Sequence, residues 1–346
     1  MCPVSALALD LTVALGRLAV ILTGLMLTSL QIENFKGFRQ LTIEPLAKVN
    51  LFVGTSNSGK TSVLEALSML PATGAHPAGS LNWMLFRNGS VEAQANNEYA
   101  RWQFHDASLG ERILISATRD QHPHETQTIL SLVTEPSIGS DFSVKCEPPI
   151  FVRFVPRKPS RKMGIVTTSK LSAADLARCY DRWTLRAEND DRFVAFLQAV
   201  DARLKSLRPM EHTGQRMLYA DVRLPERIAL PLLGEGFNRL VQIFGAIIGE
   251  NADIVLIDEI ENGLHWSALP QIWTGIREAV TKENVQIFAT THSLECISAA
   301  VEVFKGEPKN ELAVHRLERA ENGEIRCITM GEDELERMLE RQWEIR

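Results

Sequence analysis

One short run of residues constrains this chain more than any bulk property. Gly54-Thr55-Ser56-Asn57-Ser58-Gly59-Lys60-Thr61 fits the pattern G-x-x-x-x-G-K-[ST], in which glycines let consecutive backbone N–H groups wrap around phosphate oxygens. The pattern carries that meaning only between a strand and a helix. Val49 to Val53 ahead of it is apolar and β-branched; behind it Val63, Leu64, Leu67 and Leu70 recur at helical spacing, until Pro71 and the Gly74–Gly79 stretch end the run. Strand, loop and helix in that order imply an α/β fold with a nucleoside triphosphate as its ligand.

The nucleotide-contacting stretch is expected to run from Gly54 through Thr55, Ser56, Asn57, Ser58, Gly59, Lys60 and Thr61 to Ser62. Lys60 suits the β and γ phosphates, and the Thr61 hydroxyl suits Mg2+. Downstream, the apolar run Ile254-Val255-Leu256-Ile257 ends in Asp258-Glu259, which reads as a fully buried strand delivering carboxylates where α/β sheets bind ligands. Asp258 is expected to hold Mg2+ through water, and Glu259 to polarise the attacking water. The plainer alternative is that the acidic pair caps the helix that follows. A further strand, Val285 to Ala289, runs into Thr290-Thr291-His292-Ser293, so His292 is expected on the same rim, at the γ-phosphate. Lys60, Glu259 and His292 are thus the catalytic candidates, and Thr61 and Asp258 the metal candidates.

Elsewhere the pattern organises the chain. Ser29 to Phe35 and Leu41 to Ile43 read as strands before the loop, and Ile113 to Ala117, Thr128 to Val133 and Ile150 to Val155 as strands of a middle segment. Ala173 to Leu207 carries a helical signal. Arg227 to Leu233, Phe237 to Ile248, Ile254 to Ile257 and Val285 to Ala289 return to alternating strand and helix, the mark of a parallel sheet with crossovers. The expected division is an uncertain extension over 1–27, one half of the nucleotide domain over 28–95, an inserted β/α lobe over 96–218, and the second half over 219–346. Arg178, Arg182 and Arg186 at four-residue spacing near Asp175, Asp181 and Glu188 read as a salt-bridged exposed helix. Arg153, Arg157, Lys158, Arg161 and Lys162, interleaved with Phe151 and Phe154, read as a solvated loop, with nucleic-acid phosphate as the alternative contact.

Composition narrows the setting. A net charge of −6 gives no global attraction to nucleic acid, so such binding needs a local patch or a partner. Cys2, Cys146, Cys179, Cys296 and Cys327 have no paired spacing, against a zinc cage or disulfide framework and in favour of a cytoplasmic setting. The apolar stretch from Val4 to Leu27 has a membrane anchor or signal peptide as its alternative reading, but Asp10 and Arg17 interrupt it, and the uncharged run from Leu18 to Ile32 is short of a bilayer span of about 20 residues. No membrane partner is expected, and Met26 is favoured as the start.

Taken together, residues 28–70 and about 228–300 resemble the ABC-type ATPases of the structural-maintenance-of-chromosomes and overcoming-lysogenisation-defect groups, in the form of a stand-alone AAA-family ATP-binding protein. In that family a signature loop from a second subunit closes over the γ-phosphate. Leu233-Gly234-Glu235-Gly236-Phe237-Asn238-Arg239 looks like its counterpart, although it lacks the serine of the Leu-Ser-Gly-Gly-Gln form; Gly234, Glu235 and Gly236 are its candidate contacts. Glycines before a helix suit a phosphate without the family label; an ordinary glycine turn is the alternative. Asn34-Phe35-Lys36-Gly37-Phe38-Arg39 resembles the family's opening strand and turn, and Glu261-Asn262-Gly263-Leu264-His265 the segment after its carboxylate pair. Gln94 and Gln103 are candidates for its glutamine loop.

The resemblance implies an ABC-type α/β domain, a mixed sheet with flanking helices interrupted by the lobe. It further implies ATP and Mg2+ as cofactors and an ATP-dependent dimer that switches a separate effector such as a nuclease, in DNA repair or in defence against phage or plasmids. Nucleic acid enters as a further partner. The residues after His292 are too few for a nuclease domain, so none is expected in this chain. The alternatives are a ring-forming motor, the ATPase subunit of a membrane transporter, and a sensor that binds without hydrolysing.

Overall fold

The computed structural model describes residues 26–70, 105–107, 112–119, 122–134, 142–146, 163–169, 171–306 apart from 199, 213 and 251, 311–331, and 334, 335 and 337. Residues 1–25 of the expected extension, Gln94, Gln103, the expected Ile150 to Val155 strand and the basic segment from Arg153 to Lys162 lie outside them.

Strand β1 (Leu27–Phe35) turns through Lys36 and Gly37 into β2 (Phe38–Ile43), with Phe35 opposite Phe38. Leu27, expected in the extension, belongs to this strand: its N–H donates to Gln286 Oε1 at 2.9 Å, and Gln286 Nε2 returns a bond to its carbonyl at 2.9 Å. Next come β3 (Val49–Val53), buried throughout, and α1 (Lys60–Met69). Strands β4 (Arg112–Arg119), β5 (His122–Thr134) and β6 (Phe142–Cys146) extend the first hairpin into an antiparallel sheet of order β2-β1-β4-β5-β6.

After β7 (Met163–Val166) come two helices, α2 (Ala173–Trp183) and α3 (Ala187–Gln198). Strands β8 (Ser206–His212), β9 (Gln215–Asp221) and β10 (Ile228–Ala229) make a small antiparallel sheet beside α2. The chain then forms α4 (Glu235–Phe244), β11 (Ile254–Ile257), α5 (Leu269–Glu283), β12 (Gln286–Thr290), α6 (Leu294–Phe304), β13 (Leu312–Arg319) and β14 (Ile325–Met330).

The central sheet has the order β14-β13-β3-β12-β11-β7, parallel except for the β13–β14 hairpin. Because side chains alternate across a strand, its two faces feed two cores. Phe52, Leu256 and Phe288 join a core with α1 and the β1–β2–β4 sheet. Leu51, Val53, Val255, Ile257, Ile287 and Ala289 join a larger core with α2 to α6. Burial on both faces explains why β3, β11 and β12 read as apolar runs rather than alternating ones. Since these three strands are parallel, the segments leaving their C-terminal ends share one rim of the sheet.

Strands of the span 96–218 occur in all three sheets. β4 pairs edge to edge with β1 and buries Ile113, Ile115 and Ala117 on one face, and β7 pairs with β11 at the edge of the central sheet. The Ala173 to Leu207 helical signal breaks after Trp183: the buried Asn189 amide donates to the Trp183 carbonyl at 2.8 Å, and Leu207 already belongs to β8. Arg227 to Leu233 holds only the two-residue β10 and a 3-10 turn. The arginines pair as expected in part, Arg178 with Asp175 on its own helix but Arg182 with Glu250 at the end of the α4 segment; Arg186 lies past the end of α2.

Candidate nucleotide-binding site

The loop between β3 and α1 is closed on itself. Lys60, 5% exposed, donates to the carbonyls of Gly54 and Thr55 at 2.9 and 2.8 Å and to Ser58 Oγ at 3.4 Å. Burial lowers the Lys60 pKa, while the carboxylates of Asp258, Glu259 and Glu261 pull the other way. Two glycines are required by the packing. A Cβ on Gly54 (φ +136°) would stand 2.3 Å from the Leu317 carbonyl oxygen, and one on Gly59 (φ +96°) 2.7 Å from the Phe38 ring. Gly59 caps α1 without a side-chain hydrogen bond, and the first turn carries no acid. The N–H groups of that turn therefore face outward with positive partial charge, which fits a polyphosphate. Thr55, Ser56 and Asn57 are exposed, and Thr61 and Ser62 half-buried.

At the end of β11, Asp258 is 2% exposed. Its Oδ1 accepts from the Thr61 hydroxyl at 3.0 Å and from Thr290 Oγ1 at 2.7 Å. Thr290 Oγ1 in turn accepts from the Glu259 N–H at 2.8 Å. Helix α1, the carboxylate pair and the end of β12 are thus joined by one chain of hydrogen bonds. A threonine hydroxyl and a carboxylate side by side are hard oxygen donors, the set that Mg2+ accepts. Glu259 takes a left-handed backbone conformation, φ +48°, which costs a non-glycine residue roughly 1–3 kcal/mol and clusters at functional sites.

Two residues that sequence reasoning missed complete this part. One is Thr290. The other is Arg239 on α4, buried to 6% exposure, whose guanidinium donates to the carbonyls of Thr167 at 2.6 Å, Glu259 at 3.0 Å and Asp258. Burial lowers its pKa, against the pull of Asp258, Glu259 and Glu261. The signal was present: an arginine among Phe237, Leu240, Val241, Ile243 and Phe244 stands on a buried helix face, where a charge requires partners.

His292 is exposed on the segment leaving β12, and its backbone N–H donates to Glu261 Oε1 at 2.7 Å. The glycine loop before α4 lies next to the turn after the carboxylates. A Cβ on Gly236 would meet the Gly263 carbonyl oxygen at 2.8 Å, and Gly263 packs on Glu235. Gly234 is different: it has φ +103°, it is exposed, and nothing lies within 4 Å of where a side chain would stand. The structure therefore brings Lys60, Thr61, Asp258 and Glu259 together directly, with His292 tied in through Glu261, and leaves Gly234 facing open space.

Residues 26–121 match the family described as AAA ATPase domain, and residues 140–298 match that described as AAA domain, putative AbiEii toxin, Type IV TA system. An ATP/GTP phosphatase of Helicobacter pylori is 22% identical over 332 aligned positions, covering 81% of this chain and 89% of that protein. Among solved structures, an SMC head bound to the C-terminal winged-helix domain of ScpA is 13% identical with TM-score 0.53, covering 88% of this chain and 97% of that one. An SMC head with an extended coiled coil, bound to the C-terminal domain of ScpA derived from Pyrococcus furiosus, is 10% identical with TM-score 0.52, covering 91% and 99%. Among the described residues no helix is long and apolar enough to cross a membrane.

Proposed function

Because this chain is an ABC-like P-loop ATPase with AAA-family domains, we propose that it hydrolyses ATP at a site completed head to tail by a second copy of itself. The triphosphate sits in the loop from Gly54 to Ser62. Lys60 leaves its own carbonyls for the β and γ phosphates, where a charge held in a closed loop acts strongly. Mg2+, when bound, neutralises charge that develops on the phosphates; Thr61 and Asp258 are the residues that would hold it. Glu259 orients the attacking water and takes its proton. His292 contacts the γ-phosphate, and Gly234 to Gly236 of the second copy bring backbone N–H groups to the same phosphate from the other side.

The observation that carries this reading is the hydrogen-bond chain Thr61–Asp258–Thr290–Glu259. It binds phosphate loop and carboxylates into one unit, whereas helix capping by the acidic pair would leave Asp258 unconnected to the loop. Closure is a switch whose output goes to a separate effector, such as a nuclease acting on nucleic acid in DNA repair or in defence against phage and plasmids.

Complementation tests the shared site. Lys60→Ala and Gly234→Asp should each abolish hydrolysis alone. Mixed, they form a dimer in which one site carries both changes and the other carries neither, so activity should return. No recovery on mixing, with both variants folded, would contradict the head-to-tail arrangement.

A further inference from the structure

The carboxylate turn reaches back to the end of β12 through more than its two acids. The N–H of Glu259 bonds Thr290 Oγ1 at 2.8 Å, and that of Ile260 bonds the Thr290 carbonyl at 3.0 Å. Then Glu261 accepts the His292 N–H on Oε1 at 2.7 Å. The first two contacts hold the root of the His292 segment, and the third holds His292 itself. Glu261 is kept in register by the turn, where the N–H of Leu264 bonds its carbonyl at 2.9 Å.

The second oxygen makes the residue unusual. Glu261 Oε2 is buried and, among the described residues, has no hydrogen-bond partner. An orphaned carboxylate oxygen out of water opposes folding, and each such group in a native fold calls for an explanation. Packing alone does not supply one, since an apolar residue would fill the space without that penalty. A requirement at the site does: Glu259 and His292 leave different strands, and Glu261, together with the Thr290 hydroxyl, links their turns. Its charge also reaches Lys60 and Arg239, opposing in both the effect of burial.

We propose that Glu261 is a positioning residue for hydrolysis, acting through its hydrogen bond to the His292 backbone so that His292 and Glu259 stand in fixed relation about the γ-phosphate. This rests on the reading that His292 contacts that phosphate. Because the bond is to the main chain, a substitution at Glu261 moves the imidazole without removing it, and catalysis falls through geometry rather than through lost chemistry.

A double-mutant cycle in steady-state ATP hydrolysis decides the matter, using the full chain with Mg2+-ATP and a melting curve on each variant. Glu261→Ala should lower kcat by roughly ten- to a hundredfold with KM for ATP little changed. Glu261→Gln, which keeps an acceptor for the His292 N–H, should restore most of the rate. In a His292→Ala background Glu261→Ala should cost almost nothing more, because no imidazole remains to be placed. If the two losses multiply instead, Glu261 acts independently of His292 and the proposal is overturned while His292 keeps its role. A Glu261→Gln variant as slow as Glu261→Ala would overturn it too, since charge and not the hydrogen bond would then matter. If His292→Ala turns over like the unaltered chain, the reading of His292 fails, and the role of Glu261 with it.

Discussion

The two glycine loops of this molecule are built on opposite terms. In the phosphate loop the fold itself forbids side chains: Gly54 lies against a backbone carbonyl and Gly59 against a phenyl ring, and Lys60 fills the loop's own acceptors. In the loop before α4, Gly234 faces nothing within 4 Å. A glycine in open space with a backbone near glycine's own region, φ +103° and ψ +163°, is not demanded by packing within this chain. The first loop answers to its own domain; in the second Gly236 does so too, against the Gly263 carbonyl, and on the proposal above Gly234 answers to the second copy.

Activity should separate the loops most widely. Lys60→Ala should reduce hydrolysis on the order of 10²- to 10³-fold and lose ATP binding as well. Gly234→Asp should reduce hydrolysis comparably but leave a single copy able to bind, as read by titration with a fluorescent ATP analogue. Equal loss of binding in both variants would break the contrast.

Stability should sharpen it. Both Gly54→Ala and Gly234→Ala suffer strain from a positive φ, but only Gly54→Ala also forces a methyl against the Leu317 carbonyl. Urea unfolding should therefore find Gly54→Ala less stable than Gly234→Ala by roughly 1–3 kcal/mol.

Arg239 ties the second loop's helix, which Gly234 caps, to the carboxylate turn, through the carbonyls of Asp258 and Glu259. Arg239→Met should cost about 1.5–3 kcal/mol and slow turnover. Arg239→Lys should not rescue it, because an ammonium cannot span three carbonyls as a planar fork does. Full rescue by lysine would leave the region joined by charge alone.

The last effect concerns pH and is absent at neutral pH. His315, on the strand that flanks the phosphate loop, is stacked on Phe52 and bonded to Asn50 and Thr329; burial pushes its pKa down to about 3. Its folded pKa lies below the unfolded value of about 6.5. The imidazole thus costs nothing above that value; as pH falls, the unfolded chain takes up the proton first and stability drops by about 1.4 kcal/mol per pH unit until about pH 3. A His315→Gln variant should flatten that dependence in acid unfolding curves while leaving the open loop's behaviour unchanged.

What the sequence disclosed follows the same division. Runs buried on both faces, such as Val49–Val53 and Ile254–Ile257, are legible because every residue obeys one rule, and both strands coincide with the segments read. The phosphate loop is legible because its chemistry is local. Sheet partnership is not: the alternation in Ile113, Ile115 and Ala117 marks a strand but not that it joins β1 rather than a separate lobe. The break after Trp183 depends on an amide six residues on in sequence, Asn189, that only folding brings back to the helix end. Arg239 and Thr290 work on backbone atoms of other segments, a relation that no motif spacing records.

The central claim is that ATP closes two copies of this chain over one site. The measurement is the solution mass of the Glu259→Gln variant with and without Mg2+-ATP, since removing the carboxylate proposed to drive hydrolysis should trap the closed state. The account predicts a monomer that becomes a dimer only with ATP. An unchanged mass, or a hexamer, would contradict it.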